Sequence, residues 1–157
     1  MSLPQVGQAQ MLAGEFESLL RKYRPRSVAV LGCSGGNGLD RILPNITSRV
    51  VGVDVNPAYI EETRRRFSGR FPTLELLVGD VQTPGIDFAP VELVFAGLIF
   101  EYLDLSVALG RIGTLLARDG ILGVVLQLPS TALPSITSSP FQSLQSLAPS
   151  MRLVLPE

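Results

Sequence analysis

From residue 6 to residue 23, apolar groups recur at helical intervals, at Met11, Leu12, Phe16, Leu19, Leu20 and Tyr23. This spacing predicts an amphipathic helix that ends at Arg24-Pro25. The rhythm then changes to short runs of β-branched and aliphatic residues. "SVAVLG" (27–32), "RVVGVD" (49–54), "LELLVGD" (74–80), "VELVFAG" (91–97) and "ILGVVLQL" (121–128) read as five strands. Helices fall between them: one from Gly36 to Leu43, closed by Pro44, and a polar one from Pro57 to about Phe67. A third is capped by Asp104 and carries Leu105, Ala108, Leu109, Ile112, Leu115 and Leu116. Asp119-Gly120 then turns the chain into the fifth strand, and the Pro- and Gly-rich stretch 81–90 carries no helical rhythm.

Strands that are apolar on both faces and alternate with helices predict a parallel sheet covered on both sides. With right-handed crossovers, the expected fold is α/β: a Rossmann-like, doubly wound, mainly parallel sheet in three layers. Beyond Pro129 the chain turns loop-like. Ser139-Pro140 would cap a short helix bearing Phe141, Leu144 and Leu147, and "MRLVL" (151–155) reads as one more strand. The expected organisation is one domain over 1–157, with an N-terminal helix at 6–23, a core at 27–128 and a C-terminal loop-and-helix segment at 129–157.

Composition narrows the chemistry. With 46% hydrophobic and 17% charged residues, the chain has the make-up of a folded domain with a large interior. A net charge of −1 gives no general attraction to nucleic acid or to an anionic membrane. No apolar run approaches the ~20 residues of a membrane-spanning helix. No secretory signal stands at the start, so the expected location is cytoplasmic. The single cysteine, Cys33, rules out an internal disulfide and a cysteine-based zinc site. There is no histidine, which removes Ser–His and Cys–His pairs and histidine metal sites. Chemistry here must rest on carboxylates, tyrosines, arginines, backbone groups or a bound cofactor, and no metal is expected.

The informative stretch is "VAVLGCSGGNGLD" (28–40), where a strand gives way to a turn with four glycines. Ligands of doubly wound sheets bind at the carboxyl ends of the strands, and three features converge there. The turn lets a ligand approach bare backbone at a helix N-terminus. Asp54 ends the second strand, placed to accept hydrogen bonds from ribose hydroxyls, and Asp80 follows the third, placed to accept from an exocyclic amine. Together these describe a nucleoside site.

Through residues 28–128 the sequence resembles the class I S-adenosylmethionine-dependent methyltransferases, in particular the small-molecule type. "VLGCSGGNG" resembles the glycine-rich first motif, "VVGVDVNPAYI" the second strand with its ribose-binding acid, and "LLVGDVQ" the adenine-side segment. "VELVFAGLIFEYLD" is similar to the fourth-strand motif that lines the methionine moiety, and "IGTLLARDGILGVVL" to the helix, turn and strand that follow. The resemblance implies S-adenosylmethionine as cofactor and in-line methyl transfer governed by alignment, without a dedicated side-chain base. It implies Gly32, Cys33, Ser34 and Gly36 around the methionine part, Asp54 at the ribose, Asp80 and Val81 at the adenine, and Val55 and Gly97 as further cofactor-binding residues. It implies a small-molecule acceptor, since the Asn/Asp-Pro-Pro-Tyr signature of base and glutamine methyltransferases is absent.

The sequence departs from the family pattern at Val30, where many members carry an acid, at Ser34, where they carry a glycine, and at Glu101, where relatives often place a histidine. The family's last two strands are reduced to a trace at 151–155, as in a fragment of a longer protein, and an apolar fifth strand would leave a sheet edge that a second copy could cover.

Each reading has a plainer alternative. The glycines could serve helix–strand packing, Asp54 could cap the helix at Pro57, and Asp80 could be a turn residue. Cys33 reads as a small buried residue, and the run "RRRFSGR" (64–70) as a solvated helix end and not an RNA site. Glu101 and Tyr102 either face a substrate or merely precede the next helix. Two competing functions remain open at this level. One is a non-catalytic cofactor-binding or partner-docking domain. The other is a nicotinamide-dependent oxidoreductase, for which the turn lacks a G-x-G-x-x-G triplet.

Overall fold

The computed structural model describes residues 4–127. Helix α1 (Pro4–Tyr23) leads into strand β1 (Ser27–Leu31), followed by β2 (Arg49–Asp54), α2 (Pro57–Phe67), β3 (Thr73–Val78), β4 (Val91–Gly97), α3 (Leu105–Leu115) and β5 (Leu116–Val125). The strands form one sheet in the order β3-β2-β1-β4-β5, and every pairing is parallel. This is the doubly wound, Rossmann-like arrangement expected, with the order reversing at β1. The readings for 139–147 and 151–155 lie outside the described residues. None of the helices described is long and apolar enough to cross a membrane.

Strand alternation divides the interior in two. Ala29, Leu31, Val51, Val53, Val94 and Ala96 face the α3 side, with Ala108, Ile112 and Leu115 of that helix and Val81, Ile86 and Phe88 of the β3–β4 connection. Val28, Val30, Val50, Leu93 and Phe95 face the other side, with Phe16 and Leu20 of α1 and Ile60 and Phe67 of α2. Val30, where the family pattern has an acid, is 4% exposed in this second cluster. The Phe16 ring stacks on Phe95 with centroids 4.8 Å apart, which docks α1 on the sheet.

Three expectations are corrected. The helix from Gly36 to Leu43 does not form: Ser34, Gly35, Gly36 and Gly38 all have left-handed φ, and only Leu39–Arg41 makes a single 3₁₀ turn. Strand β5 begins at Leu116 and ends at Val125, and Asp119-Gly120 lies within it. Leu116 pairs with Val91 and Ile121 with Leu93, so residues 117–120 bulge opposite Glu92, with Asp119 at φ 62°. Along α3, Leu105 and Leu109 are exposed, so the buried stripe is narrower than its apolar spacing predicts.

Phe16→Ala would remove a fully buried ring and should lower stability by about 3–5 kcal/mol. Met11→Ala, at an exposed position of the same helix, should change it by less than about 0.5 kcal/mol. Urea unfolding of the two variants measures both.

Candidate functional site

The carboxyl ends of β1 and β2 are joined by backbone. The N–H groups of Gly32 and Cys33 both donate to the Val53 carbonyl, at 2.8 and 3.1 Å. The chain then reverses over Ser34 and Gly35, both at positive φ, and the Gly36 N–H donates to the Cys33 carbonyl at 2.8 Å. This is the geometry of a primed β-turn.

The turn is fastened to Asp54, which is buried at the end of β2. Its Oδ2 accepts the Ser34 N–H at 2.9 Å and its Oδ1 the Asn56 N–H at 2.9 Å. Asp54 is therefore not the cap of α2. That role belongs to Asn56, whose side-chain oxygen accepts the Ala58 N–H. The Gly79 N–H donates to the Asp54 carbonyl, which draws in the end of β3.

Two of the glycines answer to close packing. A Cβ on Gly32 would stand 2.5 Å from the Ile99 side chain, and one on Gly36 2.5 Å from the Phe67 ring of α2. The plainer reading of the turn thus holds at Gly36, while Gly32 lies where the segment after β4 meets the turn. Cys33 is fully buried over Gly52, with Sγ 3.8 Å from Thr63 Oγ1. Burial, and then the Asp54 carboxylate, push its pKa up to about 11.

Asp80 begins the turn after β3. Its Oδ1 accepts the Gln82 N–H at 2.8 Å and its Oδ2 the Gln82 amide at 2.9 Å. Gln82 Oε1 in turn accepts the Asp104 N–H at 2.7 Å, and Asp104 caps α3 through the Val107 N–H. Val81 is packed in the core, whereas Val55, next to Asp54, is 62% exposed at the edge of the sheet. Gly97 ends β4 beneath Leu12 of α1, whose Cδ2 would lie 3.0 Å from a Cβ there. The structure therefore brings together the turn, Asp54, Val55 and the start of the Asp80 loop, and sets Val81 apart in the interior.

The segment after β4 carries Glu101 and Tyr102, which the sequence singled out, and Leu98, which it did not. Leu98 has φ 57°, a strained value for a branched residue, and its N–H reaches the Val125 carbonyl of β5. Glu101, in the 3₁₀ turn Phe100–Tyr102, is 1% exposed, and its Oε1 accepts the Gln127 N–H at 2.6 Å. Burial, then the charge of Glu101, raise the Tyr102 phenol above its ordinary value. The absence of histidine beside an acid at 101 was legible; its burial was not. The basic run has ordinary partners. Arg64 and Arg65 pair with Glu61 and Glu62, Arg66 donates to the Gly35 carbonyl, and Arg70 to the Asp40 carbonyl. Among the described residues, no three metal-binding side chains gather.

A family model described as a methyltransferase domain matches residues 28–120. No curated protein matches the sequence. Solved structures share the fold. An S-adenosylmethionine-dependent methyltransferase from Clostridium acetobutylicum superposes with a TM-score of 0.62 at 15% identity, over 74% of this chain and 50% of its own. An amino pentose methyltransferase of calicheamicin biosynthesis from Micromonospora echinaspora, with S-adenosylmethionine bound, gives 0.60 at 19% identity, over 79% and 56%. The N-methyltransferase NodS from Bradyrhizobium japonicum, in complex with S-adenosylhomocysteine, gives 0.61 at 19% identity, over 72% and 58%. The chain spans about half the length of these proteins.

With a pKa of about 11, only about one Cys33 thiol in a thousand is ionised at pH 8. Cys33 should resist a disulfide reagent in the folded chain and react at once in denaturant, as thiol titration would show. Since the folded pKa lies above the ordinary value near 9, the folded chain keeps a proton that the unfolded chain loses between pH 9 and 11. The contribution of this group to stability therefore falls as pH rises through that window.

Proposed function

The chain belongs to the methyltransferase domain family, and from that premise we propose that it binds S-adenosylmethionine across the carboxyl ends of β1–β3 and methylates a small molecule. The observation that carries this reading is the bond from the Ser34 N–H to Asp54, which fixes a bare-backbone turn beside a buried acid. A carboxylate has about four acceptor sites. In Asp54 the two bonds above engage one site on each oxygen, which leaves capacity for a pair of vicinal hydroxyls. Beside it, exposed Val55 offers an apolar surface for a base.

Bound S-adenosylmethionine supplies a methyl carbon activated by a sulfonium. The chain's own contribution is to hold and orient: Gly32 to Gly36 at the amino-acid end, Asp54 at the ribose, and the Asp80 loop with Val55 at the base. Asp80 contacts a base amine only by sharing oxygens that already serve Gln82. Alignment alone can contribute ~7–11 kcal/mol to such a reaction, which suits a chain without histidine. The names of the similar structures, which include an amino pentose methyltransferase, support a small acceptor.

Calorimetric titration with S-adenosylhomocysteine tests the reading. Asp54→Ala should weaken binding by about 1.5–3 kcal/mol, the scale of hydrogen bonds to a charged group. Glu61→Ala, which removes only an exposed ion pair, should leave it unchanged. An unaltered dissociation constant in a folded Asp54→Ala variant would overturn the ribose assignment. Saturable binding of NADH would favour the oxidoreductase reading instead.

A further inference from the structure

Gln82 bonds in two directions. Its backbone N–H and its side-chain amide both donate to Asp80 Oδ1, at 2.8 and 3.2 Å, and the same amide reaches Oδ2 at 2.9 Å. At the other end of the side chain, Oε1 accepts the Asp104 N–H at 2.7 Å, where α3 begins. Val81, the residue before, is packed in the core and fixes the backbone here. The turn after β3 is already closed by the Thr83 N–H on the Asp80 carbonyl, at 2.9 Å. The side-chain bonds of Gln82 therefore do more than close it.

A glutamine amide can be turned end for end, and its neighbours decide which end carries the oxygen. A backbone N–H can only donate, so Asp104 requires Oε1 on its side. Nε2 is thereby turned toward Asp80 as a donor, and Asp80 answers it as an acceptor. A carboxylate has about four acceptor sites. The three contacts from Gln82 fill both sites on Oδ1 and one on Oδ2, which leaves a single position on Oδ2. Asp80 is only half-buried. It also lies close to the buried acid of the site, since Val78 pairs with Asp54 and the intervening Gly79 donates to the Asp54 carbonyl.

One acceptor position matches one N–H of an amino group. A base with a carbonyl in that place would set oxygen against oxygen. Turning the Gln82 amide would not relieve it, because the Asp104 N–H would then face an NH₂ group. We propose that Gln82 is the positioning residue that sets which base the site accepts: held in one direction by Asp104, it keeps Asp80 an acceptor and selects an exocyclic amine over a carbonyl. This assignment rests on the reading that the chain binds S-adenosylmethionine, and adds to it the residue that governs base selectivity.

The test is calorimetric titration with S-adenosylhomocysteine and its 6-oxo analogue, S-inosylhomocysteine. Wild-type protein should bind the adenosyl compound about tenfold more tightly or better, the scale of one charge-assisted bond. Gln82→Glu keeps an oxygen for the Asp104 N–H but sets a second carboxyl group against Asp80. Carboxyl groups that face each other share a proton and so gain a donor, and the preference should shrink by about threefold or more. Gln82→Met, of similar length and without either amide end, should shrink it too, and serves if Gln82→Glu does not fold. Equal binding of the two ligands by wild type overturns the assignment without any variant. An undiminished preference in a folded variant also overturns it, even where both ligands bind more weakly, because a mere tie between β3 and α3 would give that result. If wild type binds neither ligand, the cofactor reading itself fails, and the role of Gln82 with it.

Discussion

Asp54 accepts a backbone N–H on each of its two oxygens, and much of the sheet's carboxyl edge is arranged around that buried carboxylate. One bond holds the turn after β1 and the other the entry into α2. The same residue's carbonyl takes the N–H of Gly79 at the end of β3. Hydrogen bonds to a charged group are worth about 1.5–3 kcal/mol each, enough to offset much of the desolvation that an 8% exposed acid suffers. Three strand ends are thereby fixed relative to one another before any ligand arrives. A site made this way begins preorganised, because its acid is positioned by the bonds that fold the loop.

The glycine turn faces two demands. On its inner side Gly36 must admit the Phe67 ring and Gly38 lies against Ala13 and Phe16 of α1, so both helices close on the loop. On its outer side Gly32, Cys33 and Ser34 are tied to β2. Cys33 fills the gap over Gly52, where a larger side chain would push the turn off the strand. The packing and binding readings of the glycines are therefore compatible and divide along the loop.

The elements whose signals are local were legible in the sequence. Strands β2 and β4 and helix α2 have the bounds that alternation, Pro57 and the flanking polar residues predict, and Asp104 caps α3 as its position suggests. After the turn, a single 3₁₀ turn at Leu39–Arg41 stands where a helix to Leu43 is expected. Three left-handed glycines in four positions exclude a right-handed helix whatever follows. The β5 bulge was missed because Asp119-Gly120 signals a reversal equally well inside a strand and before one. The place of Asp54 beside the glycine turn was legible from its position at a strand end. The partners of Asp80 and Glu101 were not, since Gln82, Asp104 and Gln127 reach them only through the tertiary fold.

The missing helix also bears on what the turn can hold. Dinucleotide sites place a phosphate at the N-terminus of a full helix, where aligned dipoles and unpaired N–H groups favour negative charge. Here a primed turn and a single 3₁₀ turn stand in that place, and the Ser34 N–H is already spent on Asp54. The buried acid that fastens the turn is Asp54. Such surroundings offer a pyrophosphate no full helix N-terminus. Within a nucleoside-binding sheet, that combination favours a sulfonium cofactor over a nicotinamide dinucleotide, on grounds independent of the missing G-x-G-x-x-G pattern.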